Sequence, residues 1–164
     1  MFQGKAHKFG DDITTDHIAP GRLAYLRSNL PELAKHCLED ADADFTKKVQ
    51  TGDFVVGGKN FGLGSSREHA PLIIKLNGVS AVLAKSFARI FYRNAINLGL
   101  PALICDTDQI DDGDELEVNL EGGYVLNRTK GQRQTFVPLP PVMLTLLNEG
   151  GLNAYIKKHG DFKF

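Results

Sequence analysis

Apolar residues along this chain fall into short blocks separated by glycine-rich and polar joints. Phe54-Val55-Val56, stopped by Gly57-Gly58, reads as a buried strand. A glycine-rich loop follows, GGKNFGLG over 57–64. Ser65-Ser66-Arg67-Glu68 then opens a helix running to about Leu76, with Ser65 and Glu68 in the spacing of a capping box. Pro71 distorts its first turns, and Asn77-Gly78 ends it. Val79 to Ala84 is the next strand. Ser86 is placed to cap a helix through Phe87, Ile90, Phe91 and Ala95, stopped at Gly99, and Pro101 to Cys105 is another apolar strand. Strand–helix–strand alternation of this kind predicts parallel pairing with right-handed crossovers. The later blocks differ. Glu115 to Leu120 and Gly123 to Leu126 predict an antiparallel ribbon around Glu121-Gly122-Gly123. Pro141 to Leu147 and Gly151 to Lys158 predict short helices. The class is α/β with a mixed, mainly parallel sheet and flanking helices, in one domain over residues 1–164 with no internal repeat.

Composition narrows the function classes. With 42% hydrophobic and 24% charged residues in 164, the chain is long enough for one ordinary core. A net charge of -1 and no Lys/Arg stripe interleaved with aromatics argue against a nucleic-acid partner. The start, MFQGKAHKFGDD, lacks the apolar core of a signal peptide, and no run approaches the ~18 apolar residues of a membrane span. The expectation is a cytoplasmic protein with no membrane partner. Cys37 and Cys105 read as free thiols and are too few to hold an iron–sulfur cluster, so no metal is expected on this chain.

Three segments carry candidate chemistry. In the first, Asn60 to His69, a glycine-rich loop feeds a helix start, where free backbone N–H groups converge and favour an anion. Gly64 lets a ligand approach the backbone, and Arg67 suits two parallel hydrogen bonds to a carboxylate. The alternative is a plain helix cap with a surface arginine. His69 is either a base or a satisfied structural histidine. In the second segment, Gly10 to Ile18, Asp16 and His17 either belong to a site or form a polar turn leading into a strand. In the third, Arg27 lies in a loop within Tyr25-Leu26-Arg27-Ser28-Asn29, as a solvated side chain or as a contact for the far end of a two-carboxylate substrate.

Taken together, GDDITTDHI (10–18), GLGSSREHA (62–70) and KSFARIFYRNAINLGLP (85–101) resemble the C-terminal domain of aconitase. They look still more like its free-standing form, the small subunit of 3-isopropylmalate dehydratase, homoaconitase and related enzymes. The motifs span most of residues 7–105; beyond 106 the resemblance rests mainly on GDELEV (113–118). It implies a swivelling β/β/α domain closing over a [4Fe–4S] cluster held by a separate large subunit. The implied reaction removes water from a hydroxy acid and returns it with the hydroxyl moved, an iron of the partner's cluster acting as Lewis acid. By the same resemblance Ser65 is the base, Ser66 and Arg67 bind substrate, Asp16 belongs to the site, and Arg27 contacts substrate. His17, Gly64 and His69 are supporting candidates. Serine is a weak base in water, and N–H donors at a helix start together with Arg67 would lower the cost of its alkoxide. By frequency, 3-isopropylmalate dehydratase of leucine biosynthesis leads. Arg27 and the DHIAPG run (16–21) favour a substrate with a further carboxylate, of the homoaconitate type, and a dimethylmalate remains open. A rival class is a carboxylate-binding regulatory module without catalysis. A nucleotide-binding loop is disfavoured, because GGKNFGLG fits neither phosphate-loop pattern.

Overall fold

A computed structural model describes residues 1–64 and 69–160. One seven-stranded sheet organises them. The strands are β1 (Phe2–Lys8), β2 (Phe54–Val56), β3 (Ala81–Ala84), β4 (Ala102–Ile104), β5 (Glu115–Asn119), β6 (Tyr124–Asn127) and β7 (Gln132–Thr135), in spatial order β4-β3-β2-β1-β5-β6-β7. From β1 to β4 the pairing is parallel, with Ala6 opposite Phe54, Phe54 opposite Ala81 and Val82 opposite Ala102. From β1 to β7 it is antiparallel. The sheet is therefore mixed as expected, but it splits evenly, three parallel and three antiparallel pairings, instead of being mainly parallel.

Burial explains why the two halves look different in sequence. β2 and β3 are buried at every position, as strands covered on both faces must be. β5 and β6 alternate buried with half-buried or exposed positions. β7 is a polar edge strand, and the Arg133 guanidinium stacks over the Tyr124 ring of its neighbour at 3.9 Å.

The helices are α1 (Thr15–Ile18), α2 (Leu30–Ala34), α3 (Phe45–Lys48), α4 (His69–Leu76), α5 (Arg89–Asn97), α6 (Pro141–Asn148) and α7 (Leu152–His159). Ile18, Leu33, Phe45, Ile73, Ile74 and Phe91 from the first five pack with Val55 and Val82. The alternate positions Phe54, Val56 and Leu83 turn the other way and join Leu103, Leu116, Val118 and Val125. Each such fully buried side chain contributes roughly 1.5–3 kcal/mol of transfer free energy.

Several local expectations are corrected. Gly10–Ile18 leads into a helix, α1, and not into a strand. Arg27 lies in 3-10 turns over Gly21–Ser28 instead of a loop. Ser86 does not cap α5, which begins after Ala88 with no side-chain cap; its hydroxyl accepts the Asn60 N–H instead, at 2.8 Å.

Candidate active site

Three loops leave the carboxyl ends of adjacent parallel strands: 9–14 after β1, 57–64 after β2 and 85–88 after β3. That end of an open α/β sheet is where ligands bind. Backbone hydrogen bonds join the loops. The glycine-rich loop lies between the other two, with Gly58 N–H donating to Gly10 O, Gly62 N–H to Ile13 O and Thr15 N–H to Leu63 O at 3.1, 2.7 and 2.9 Å. On its other side Phe61 N–H donates to Ser86 O and Ala88 N–H to Phe61 O, at 3.0 and 2.9 Å. Thr14 and Phe61 form isolated bridges with Leu63 and Phe87.

Two glycines of the loop are required by this packing. Gly62 has φ +84, and a Cβ there would lie 2.7 Å from Phe91 Cδ2 and closer still to Cβ and Cγ. Gly64 has φ +125 and sits against the Thr15 hydroxyl, which a Cβ would meet at 3.0 Å. Ser65, Ser66 and Arg67 follow Gly64 directly and lie outside the described residues. His69, just beyond them, is the first residue of α4 and is half-buried.

Asp16 lies in α1, which follows the loop after β1. It is an exposed residue in the first turn of α1. Buried Thr15 and Ile18 anchor the same turn, and the Thr15 N–H bond to Leu63 ties it to the glycine-rich loop. His17 closes a capping box: the Thr14 hydroxyl accepts the His17 N–H at 3.1 Å, and His17 Nδ1 accepts the Thr14 N–H at 2.9 Å. With Nδ1 an acceptor, the ring proton of the neutral form is on Nε2. Sequence reasoning missed this capping role, for which T-x-x-H was the available signal.

Arg27 is exposed and makes no ion pair among the described residues. Its neighbour Arg22 is engaged, donating to Asp40 at 2.7 and 2.8 Å and to Glu39 at 2.5 Å. Lys85, at the end of β3, is also engaged: it donates to Asp108 at 2.5 Å, and that bond holds the Asp108 carboxyl below its ordinary range.

This chain's thiols do not suit cluster ligation. Cys37 and Cys105 are buried in different core clusters. Burial pushes the Cys37 thiol far up and that of Cys105 to about 12, whereas cluster ligands are thiolates. Among the described residues no three His, Cys, Asp or Glu side chains are grouped to hold a metal ion, and no helix is long and apolar enough to cross a membrane.

Residues 26–107 match the family model of the aconitase C-terminal domain. A 3-isopropylmalate dehydratase small subunit from Archaeoglobus fulgidus is 70% identical over 98% of this chain and 97% of its own length. One from Thermotoga maritima is 61% identical over 99% of this chain and 98% of its own length. The chain belongs to the aconitase superfamily. A solved structure of 3-isopropylmalate dehydratase from Methanocaldococcus jannaschii superposes with a TM-score of 0.92 at 48% identity, covering 97% of this chain and 95% of that one. The fold is thus the superfamily's α/β swivel domain, and the chain is the small subunit of a two-subunit hydro-lyase of the 3-isopropylmalate dehydratase type. The C-terminal-domain match takes in Arg27, the glycine-rich loop and α5, while Asp16 precedes it.

Proposed function

We propose that this subunit completes a dehydratase for isopropylmalate, in leucine biosynthesis, and supplies its base and its carboxylate-binding groups. Ser65 takes the proton from the carbon next to a substrate carboxylate. Ser66 and Arg67 hold that carboxylate, Arg67 through paired hydrogen bonds. Asp16, in the turn bonded to the loop stem through Thr15, serves the same site as the hydroxyl leaves and returns. The [4Fe–4S] cluster belongs to the large subunit. The observation that carries the reading is the convergence of the Asp16 turn and the stem running into Ser65, joined by the Thr15–Leu63 hydrogen bond. The two buried thiols support a cluster held elsewhere.

Arg27 favours a second reading. An exposed guanidinium with no ion-pair partner among the described residues suits a substrate with a further carboxylate, of the homoaconitate type. If it is enclosed in the assembled enzyme it needs an anionic partner, and an isopropyl group offers none. The test is kcat/KM of the reconstituted two-subunit enzyme on isopropylmalate, homoaconitate, citrate and dimethylmalate, for wild type and Arg27→Val. A shift of one to two decades toward isopropylmalate, roughly 1.4–2.8 kcal/mol, is expected if Arg27 grips the extra carboxylate. A ratio flat within about twofold, with assembly intact, retires the second reading and leaves isopropylmalate.

A further inference from the structure

Among the described residues, only Asp12, Leu38 and Asn60 have positive φ without being glycine. Two of these three touch each other. Asn60, with φ +57, donates its side-chain N–H to the Asp12 carboxylate, with φ +55, at 3.0 Å. Asp12 lies in the loop after β1 that runs into α1 and Asp16, whereas Asn60 lies in the glycine-rich loop that runs into Ser65.

We propose that Asp12 and Asn60 form a clamp that sets the register between these loops, making them positioning residues for the reaction. This rests on the function proposed above. Glycine at either position would remove the backbone strain; the chain places there the two side-chain types that best tolerate this conformation and can also bond across the gap. Backbone bonds brace the clamp. Asp12 N–H donates to Lys59 O at 2.8 Å, and Asn60 N–H to the Ser86 hydroxyl at 2.8 Å. Immediately downstream, Gly62 N–H bonds to Ile13 O and Thr15 N–H to Leu63 O, so a shift at the clamp moves the stem of one loop against the other. Both clamp residues are exposed, so a single hydrogen bond there adds little to global stability. Its effect falls on geometry, where a displacement of about 1 Å can cost a hundredfold in rate.

The clamp can be inverted. No other described hydrogen bond uses either side chain, so Asp12→Asn combined with Asn60→Asp exchanges donor and acceptor without disturbing a third group. Asn60→Asp alone sets two carboxylates against each other. In the reconstituted enzyme, Asn60→Asp should lower kcat at least about tenfold with KM within about threefold, and the double variant should return kcat to within about threefold of wild type. In the isolated subunit, hydrogen exchange at the Gly62 and Thr15 amides should speed up in Asn60→Asp and recover in the double variant. Wild-type kcat in Asn60→Asp, or a loss that the double variant does not recover, overturns the clamp. An inactive wild-type complex would instead count against the proposed function, and the exchange measurement would still decide the clamp: unchanged amide exchange in Asn60→Asp overturns it.

Discussion

Replacing Gly62 with alanine tests how tightly the glycine-rich loop is packed. Two separate penalties apply. An L-residue at φ +84 carries about 1–2 kcal/mol of backbone strain. The added methyl would also lie 2.7 Å from Phe91 Cδ2 and closer to Cβ and Cγ, and Phe91 is buried against Phe61 and Phe87, with ring centroids 5.3 and 6.1 Å away. Forcing an extra carbon into such a core costs about 1–3 kcal/mol. The sum is about 2–5 kcal/mol. Gly113→Ala separates the two penalties, because Gly113 has φ +85 but nothing within 4 Å of its Cβ position. That variant should lose only the strain, about 1–2 kcal/mol. With a urea slope of about 2 kcal/mol/M for a chain of this size, the midpoint should fall by about 1–2.5 M for Gly62→Ala and about 0.5–1 M for Gly113→Ala. Because Gly62 stands three positions before Ser65, kcat of the reconstituted enzyme should fall in the first variant and hold in the second. Equal midpoint losses for the two would contradict close packing of Gly62 on Phe91.

Two further outcomes follow from buried polar groups. Burial alone would raise the Asp53 pKa, but bonds from the His7 ring at 2.8 Å and the Lys5 and Gln50 N–H groups at 3.0 and 2.9 Å leave it lowered in the folded chain. Its contribution is therefore fully present above the unfolded value of about 3.9 and lost as pH falls through the lower folded value. Asp53→Asn should be less stable than wild type near neutral pH by roughly 1.5–3 kcal/mol, the gap closing below about pH 4; urea midpoints giving a pH-independent gap would refute this. The two cysteines should resist a disulfide reagent at neutral pH in the folded subunit and both react in urea, since burial raises both thiols. Fast labelling of either in the native state would mean that it is not buried in solution.

The parallel half of the sheet was legible because its strands are buried on both faces, so that Phe54-Val55-Val56 and Ala81 to Ala84 stand out as unbroken apolar runs. β1 and β7 were not legible. FQGKAHK and QRQT are mostly polar, and their strand form comes from pairing with β5 and β6, which no local window contains. Helices of four or five residues, such as α1 and α3, are shorter than any period that could reveal them. Ser86 shows a tertiary contact overriding a local preference: its hydroxyl serves the Asn60 N–H of another loop instead of the following helix. At the site, the glycines before Ser65 suggest room for a ligand at the backbone, whereas in the structure Gly62 and Gly64 pack against Phe91 and the Thr15 hydroxyl, partners that no local window contains. The Asp12–Asn60 contact carried no comparable signal, because Asp and Asn are ordinary turn residues until their partners are known.

The proposed chemistry stands or falls on Ser65 as the base that this small subunit contributes to a reaction whose cluster is proposed to lie in another chain. The most direct measurement is kcat of Ser65→Ala in the anaerobically reconstituted two-subunit enzyme, with assembly and folding verified. Even if the Ser65 hydroxyl caps a helix, its loss costs stability only about 0.5–2 kcal/mol, whereas loss of the base should lower kcat by roughly a hundredfold to ten-thousandfold with substrate binding largely kept. A folded, assembled Ser65→Ala enzyme with near wild-type kcat would contradict the account.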